Sequence, residues 1–269
     1  MTGDLIFLGA GNMAEALLQG VLRSGRWRKE RLVVTDIAAA RREHLAGKFG
    51  VRALADNAAA VREAQMVVLA VKPQVLLGVL AEIRSALPPD ALVLSIAAGV
   101  PTAKIEAALG GAVRVVRAMP NMPALVGCGA AAICAGRHAV ARDLAAAEQV
   151  LGATGIVVRV EEKDMDAVTA LSGSGPAYVC YLMEAMFEAA RRMGLAEKTA
   201  QQLIYATVKG SVELSSQHGL SPQELRRRVT SPGGTTAAAI EVKDRRQVMA
   251  ALVEAILAAQ RRANELARG

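Results

Sequence analysis

Three groups of residues have the types and spacing to do chemistry. The first is Gly9-x-Gly11-x-x-Ala14. Gly9 allows a tight turn, Gly11 has no side chain to block a pyrophosphate, and Ala14 lets the following helix pack close to the preceding strand. The free N–H groups of that helix start then face phosphate oxygens. The second is Asp36, 22 residues beyond Ala14 at the end of Thr35-Asp36. That is where an acid grips a ribose 2′-hydroxyl, although the same residue type also suits the N-cap of a helix over 38–48. Arg41 and Arg42 follow within reach of a 2′-phosphate, so the segment reads as either NADH or NADPH chemistry. The third is Ser231-Pro232-Gly233-Gly234-Thr235-Thr236, two glycines and three hydroxyls just before a helix. A helix start has unpaired N–H groups and a positive dipole end, which suit a carboxylate. The hydroxyls can donate to a nitrogen or oxygen of the same substrate. An elaborate Ser/Thr cap is the plain structural alternative.

Four loops stand at the carboxyl ends of predicted strands and face the same cleft: the turn around Asn57, Ala70-Val71-Lys72-Pro73, Ala97-Ala98-Gly99 and Met119-Pro120-Asn121-Met122-Pro123. Lys72 brings a cation near the expected ribose and nicotinamide. Ala97-Ala98 is small enough for a nicotinamide ring to lie against. Ser172-Gly173-Ser174-Gly175-Pro176 is a second glycine-serine break. There is no Cys/His pair, HExxH, GxSxG or Walker lysine, and no metal site is expected. No His–Asp dyad sits where a 2-hydroxy-acid dehydrogenase needs one. Hydride transfer to an iminium-type C=N fits this inventory, because it needs positioning more than a strong base.

The elements that must hold these residues alternate. Apolar runs at Leu5–Leu8, Leu32–Thr35, Met66–Val71, 91–96, 112–116, 130–134 and 156–160 read as strands, with a short one at Val51–Ala53, and helical patterns separate them. This is the order of a Rossmann-type, doubly wound parallel α/β sheet. Past about Val160 only helices are predicted: 163–171, 177–193, 199–218, a short one after the capping box Ser221-Pro222-Gln223-Glu224, then 237–242 and 245–267. The boundary gives residues 1–162 to a dinucleotide-binding domain and 163–269 to an all-helical domain, with a small-molecule substrate between them. The helix over 177–193 is apolar on nearly every face, which predicts burial against a second subunit.

Apolar residues make up 53% of the 269-residue chain and charged residues 21%, a globular balance. The net charge of +7 reads as scattered surface arginine, since no aromatics interleave with Arg226-Arg227-Arg228 as nucleic-acid binding requires. Cys128, Cys134 and Cys180 lack CxxC spacing and read as small buried hydrophobes of a reducing compartment. No apolar segment has the length of a membrane span, and the N-terminal apolar run leads straight into the glycine turn rather than a signal peptide. These features predict a cytoplasmic protein with neither membrane nor nucleic-acid partners.

The motifs Gly9–Leu17 (GAGNMAEAL), Ala70–Gln74 (AVKPQ), Ser95–Val100 (SIAAGV), Met119–Pro123 (MPNMP), Asp166–Val179 (DAVTALSGSGPAYV) and Thr230–Thr236 (TSPGGTT) together resemble the Δ1-pyrroline-5-carboxylate reductase family. The resemblance spans nearly the whole chain. It implies a Rossmann domain and a helical dimerisation domain, often with five dimers forming a decamer. It implies cofactor contacts from Gly9, Ala10, Gly11, Asn12 and Met13, from Asn57, from Ala70 to Pro73, and from Ser95, Ile96 and Ala97, with Glu162 nearby. It places the substrate carboxylate at Ser231 and the backbone of Gly233, Gly234, Thr235 and Thr236, and makes Thr236 the donor to the ring nitrogen. The family mostly uses NADPH; Asp36 keeps NADH in view. Two alternatives use the same features. One is a β-hydroxyacid-dehydrogenase-like oxidoreductase, which needs a lysine on a long helix of the second domain, where only Lys209 is near. The other is a non-catalytic redox sensor, which has no use for TSPGGTT.

Overall fold

Leu5 to Leu8 is apolar at every position, as a strand covered on both faces must be. In the computed structural model, which describes residues 3–268, this run lies in β1 (Asp4–Leu8). The other strands are β2 (Leu32–Thr35), β3 (Arg52–Leu54), β4 (Ala64–Leu69), β5 (Leu92–Ser95), β6 (Arg114–Pro120), β7 (Gly129–Ala135) and β8 (Gly155–Arg159). They form one sheet in the order β3-β2-β1-β4-β5-β6-β7-β8. Alternation along β1 divides the core into two layers. Leu5 and Phe7 pack with Leu17, Leu18 and Val21 of α1 (Asn12–Arg23), Leu45 of α2 (Ala39–Phe49) and Val150 of α6 (Ala141–Leu151). Ile6 and Leu8 pack with Val61 of α3 (Asn57–Val61), Leu76 and Leu80 of α4 (Pro73–Ile83) and Ile105 of α5 (Thr102–Leu109). Full burial of each such leucine is worth about 1.5–3 kcal/mol, so both helical layers are anchored by the same strand.

The expected all-parallel sheet needs one correction. Every strand pair is parallel except β6–β7, which is antiparallel. The link after β6 is a tight 3-10 turn over Met122–Val126, closed by Gly127 at φ 76°. It is too short for the helical crossover that a parallel pair requires.

Ser172–Pro176 is not a break either. After α7 (Met165–Val168) the chain continues through a π-helical turn, Thr169–Gly173, and enters α8 (Gly175–Arg192) after Ser174 alone. Met119 packs closely over Gly173: a Cβ there would displace the far end of the Met119 side chain. The remaining helices are α9 (Glu197–Gln217), α10 (Pro222–Arg228), α11 (Thr235–Arg245) and α12 (Val248–Arg268). Gln247, at φ 53°, divides the last two. The capping-box reading at α10 is half realised. Ser221 Oγ accepts from Glu224 N at 3.1 Å, while the Glu224 carboxylate pairs with Arg227 and Arg228 instead.

By packing, one compact unit holds the sheet and its helices through Pro176 and takes up the chain again from Ala259; the other is Ala177–Ala258. In the first, Ala263 of α12 is buried and Leu266 lies against Gly99. In the second, Met183, Met186, Phe187 and Ala190 of α8 pack on Ala200 and Ile204 of α9. The Phe187 and Tyr205 rings meet edge to face at 6.0 Å. Among the described residues, no helix is long and apolar enough to cross a membrane.

Candidate active site

Parallel register sets the carboxyl ends of the strands side by side. Leu8 pairs with Thr35 and Leu69, Leu69 with Ser95, and Ser95 with Arg117. The loops leaving this row carry the first group of candidates. Gly9 turns at φ 99°, and a Cβ there would lie 2.7 Å from the Ala70 carbonyl. No other residue fits that turn. Gly11 is the N-cap of α1, with no side-chain bond, and a Cβ on it would meet nothing within 4 Å. The space before it is open, and the first-turn N–H groups of Asn12, Met13 and Ala14 have no carbonyl one turn earlier in the helix. Open space, unpaired donors and the dipole end together fit a pyrophosphate.

The residues around this turn are tied together. Gly9 N donates to the Thr35 carbonyl at 2.9 Å. Thr35 is fully buried; its hydroxyl donates to Asn57 Oδ1 at 2.6 Å, and Asn57 Nδ2 donates to Glu82 at 2.7 Å. Asp36 does not cap α2, whose N-cap is Ala38. Its carboxylate accepts from Ala38 N and from Ala10 N, each at 2.9 Å. The acid thus grips the glycine turn itself. Arg41 likewise turns to that loop: its Nε donates to the Ala10 carbonyl and its Nη2 to Glu15, both at 2.8 Å. Sequence reasoning passed over Glu15. It accepts from Lys48 and Arg41 and faces His44, and these partners hold its carboxyl at about 2, Lys48 contributing most. The spacing of Arg41, His44 and Lys48 on one face of α2 was the available signal.

Farther along the row, Lys72 is exposed at the N-cap of α4, and Pro73 occupies its first turn. Val71 and Ala70 continue β4 toward solvent, half-buried. Ser95 is fully buried, Ile96 half-buried, and Ala97 turns into the core beneath α4 and α5. The small surface at this loop is therefore Ala98, which is exposed. Glu162 caps α5, accepting from Thr102 N at 2.7 Å and Thr102 Oγ1 at 2.5 Å. It also pairs at 3.3 Å with Arg117, a buried guanidinium that reaches Asp166 at 3.5 Å. Arg117, set between the apolar residues of β6, marked this network in the sequence. Burial and Glu162 push the Cys134 thiol up to about 12, so it stays protonated. Cys134 is the buried cysteine; Cys128 and Cys180 are exposed in the chain, against the expectation of three buried thiols. Asn121 joins two motifs: its Oδ1 accepts from Ala130 N at 2.8 Å, and its Nδ2 donates to the Ser172 carbonyl at 3.2 Å.

The third group lies in the second unit. Ser231 and Gly234 close a turn, Gly234 N donating to the Ser231 carbonyl at 3.1 Å, with Gly233 at φ 70°. Gly234 is the N-cap of α11 and no side chain caps it. A Cβ on Gly234 would run into Ser231 Oγ. Among the described residues, the hydroxyls of Ser231, Thr235 and Thr236 make none of the side-chain hydrogen bonds, whereas neighbouring Thr230 bonds back to Arg226 O at 2.6 Å. The helix start is thus not consumed by an internal Ser/Thr cap. Lys209 is exposed and 4.0 Å from Glu213.

Residues 162–266 match the family model described as pyrroline-5-carboxylate reductase dimerisation, and residues 4–99 match one described as NADP oxidoreductase, coenzyme F420-dependent. The chain is 43% identical to the pyrroline-5-carboxylate reductase of Pseudomonas aeruginosa, over 99% of this chain and 97% of that one. Among solved structures, the pyrroline-5-carboxylate reductase of Coxiella burnetii is 38% identical with a TM-score of 0.91, covering 99% of both chains. The Plasmodium falciparum pyrroline carboxylate reductase with NADP bound is 29% identical with a TM-score of 0.89, covering 99% of this chain and 98% of that one.

Proposed function

The chain belongs to the pyrroline-5-carboxylate reductase family, and from that premise we propose that it reduces Δ1-pyrroline-5-carboxylate to L-proline, the last step of proline biosynthesis, with NAD(P)H. NADPH is the expected donor and NADH the second. The bound dinucleotide supplies a hydride to the C=N carbon. The chain's own residues bind and orient. Gly9 to Met13 receive the pyrophosphate. Thr35, Asp36 and Asn57 shape the ribose side of the turn. Ala70–Pro73 and Ser95–Ala97 border the nicotinamide, and Glu162 supports that border by capping α5.

In the second unit, the open start of α11 carries the reading. The first-turn N–H groups of Thr235 and Thr236, with the Gly233–Gly234 backbone that shapes the turn and with Ser231, suit the substrate carboxylate; Gly234 N itself closes the turn on the Ser231 carbonyl. Thr236 is the donor to the ring nitrogen, which becomes a secondary amine as the C=N carbon accepts hydride. A functional division into residues 1–162 for the cofactor and 163–269 for substrate and dimerisation belongs to the same reading, and the family match that begins at residue 162 supports it. The helical region serves a homodimer, and five such dimers forming a decamer is the finer assembly we propose. We also assign the enzyme to the cytoplasm, where three free thiols would remain reduced.

The test is direct. Purified full-length protein is mixed with pyrroline-5-carboxylate and NADPH or NADH, and the absorbance of the reduced nicotinamide is followed while proline is quantified. Equal loss of cofactor and gain of proline is expected. Folded protein that oxidises neither cofactor would sink the assignment.

A further inference from the structure

Two neighbouring arginines of α2 hold different parts of the cofactor region. Both polar groups of Ala10, between the two turn glycines, are held from the β2–α2 side. Its N–H donates to Asp36 Oδ2 at 2.9 Å, and its carbonyl accepts from Arg41 Nε at 2.8 Å. Arg41 Nη2 reaches on to Glu15 at 2.8 Å. The planar guanidinium therefore spans the turn and the first turn of α1, and its charge is met by a carboxylate. Reaching a phosphate elsewhere would break both charge-assisted bonds.

Arg42 differs in each respect. Its Nη1 donates to the carbonyls of Asp36 at 2.7 Å and Ile37 at 3.1 Å, in the loop after β2. Those are neutral partners. The Asp36 carboxylate bonds to Ala10 N and Ala38 N. The loop after β2 is the side of a dinucleotide site that meets the adenosine ribose. Arg42 thus stands there with a charge that, among the described residues, no hydrogen-bonded carboxylate offsets.

We propose that Arg41 is a positioning residue, which holds Ala10 and the glycine turn for either nicotinamide cofactor, and that Arg42 is the residue that distinguishes them by its charge beside a 2′-phosphate. The proposal rests on the nicotinamide reading of the Gly9–Met13 turn given above.

The experiment is equilibrium titration of the full chain with NADPH and with NADH in the absence of substrate, giving Kd for each, run beside steady-state kinetics on pyrroline-5-carboxylate with the two cofactors; each KM change given below is expected equally in Kd. Arg41→Gln is expected to raise KM for both cofactors by the same factor, about tenfold for one lost charge-assisted bond, with the effect on cofactor KM rather than on kcat. Arg42→Gln is expected to raise KM for NADPH about tenfold more than KM for NADH. Should Arg41→Gln fail to fold, Glu15→Gln loosens the same guanidinium without touching Ala10, and an equal, smaller rise for both cofactors is expected. An Arg41 or Glu15 effect confined to NADPH overturns the proposal. So does an Arg42 effect equal for both cofactors, or unchanged KM values in the variants. Wild-type protein that turns over neither cofactor would instead remove the function on which the proposal stands.

Discussion

Thr236 is the second residue of α11, half-buried, with a hydroxyl that no described side chain or backbone group satisfies. Thr230, a few residues earlier, spends its hydroxyl on Arg226 O. The difference separates a threonine used by the fold from one whose hydroxyl the fold leaves free, as the proposed role requires. Thr236→Ala is expected to lower kcat/KM for pyrroline-5-carboxylate by about 10–100-fold, the usual cost of one donor at a reacting group. KM for NADPH should hold, since the change lies outside the glycine turn. Kinetics unchanged from wild type would take Thr236 out of the reaction. The open start of α11 was legible in the sequence because two glycines and three hydroxyls before a helical pattern are unusual; the roles of Thr236 and Ser231 there belong to the proposal. Asp36 was legible only as a residue type. Its contact with Ala10 N depends on the approach of the β2 and β1 ends, which spacing along the chain does not report.

At the scale of elements, α1 and α2 are joined by one carboxylate. Glu15, in the first turn of α1, meets Arg41, His44 and Lys48 from successive turns of α2. Its carboxyl is lowered from 4.5 to about 2. A folded-state pKa below the unfolded one gives stability that is complete above pH 4.5 and is lost as pH falls through about 2. Glu15→Gln cannot bind that proton, so its stability should vary less over this interval than that of wild type. At neutral pH it should be less stable by about 1–2 kcal/mol, a figure that allows for solvent screening of Lys48 and His44. Urea unfolding at pH 7 and pH 3 measures both effects; parallel pH profiles for the two proteins would remove Glu15 from the acid response. The same scale shows where local reading gave out. Strand starts and helix phases followed from apolar periodicity, but β7 was expected parallel because its partner and connection were inferred from alternation alone. The Ser172–Gly175 stretch was read as a break because serine and glycine weaken helices. The chain instead keeps hydrogen bonding through a π turn, held by Asn121 and by the close approach of Met119 to Gly173.

The whole molecule presents more apolar surface in its helical region than one chain can cover. On α8, Val179, Tyr181 and Leu182 are exposed, Tyr181 at 71% of its full area. Leu203 and Val212 on α9 are exposed, as are Met249, Leu252, Val253 and Leu257 on α12. Only Ala190 of α8 is buried within the chain, although that helix is apolar on nearly every face in sequence. Large apolar side chains exposed in this number on three helices suggest an association surface. The match to a dimerisation model over residues 162–266 says which kind. A wet face and a buried interface make opposite predictions for one substitution. On a permanently wet face, Leu182→Asp would change stability by no more than about 0.5 kcal/mol. In a two-fold interface the same change buries an unpaired carboxylate twice, at several kcal/mol in all, so the dimer should dissociate at micromolar concentration. Light scattering on the eluting protein gives the mass directly. We expect a monomer for Leu182→Asp and an oligomer for wild type. An oligomer of unchanged mass would place Leu182 outside the interface, and the cover of α8 would then have to come from another face of the helix.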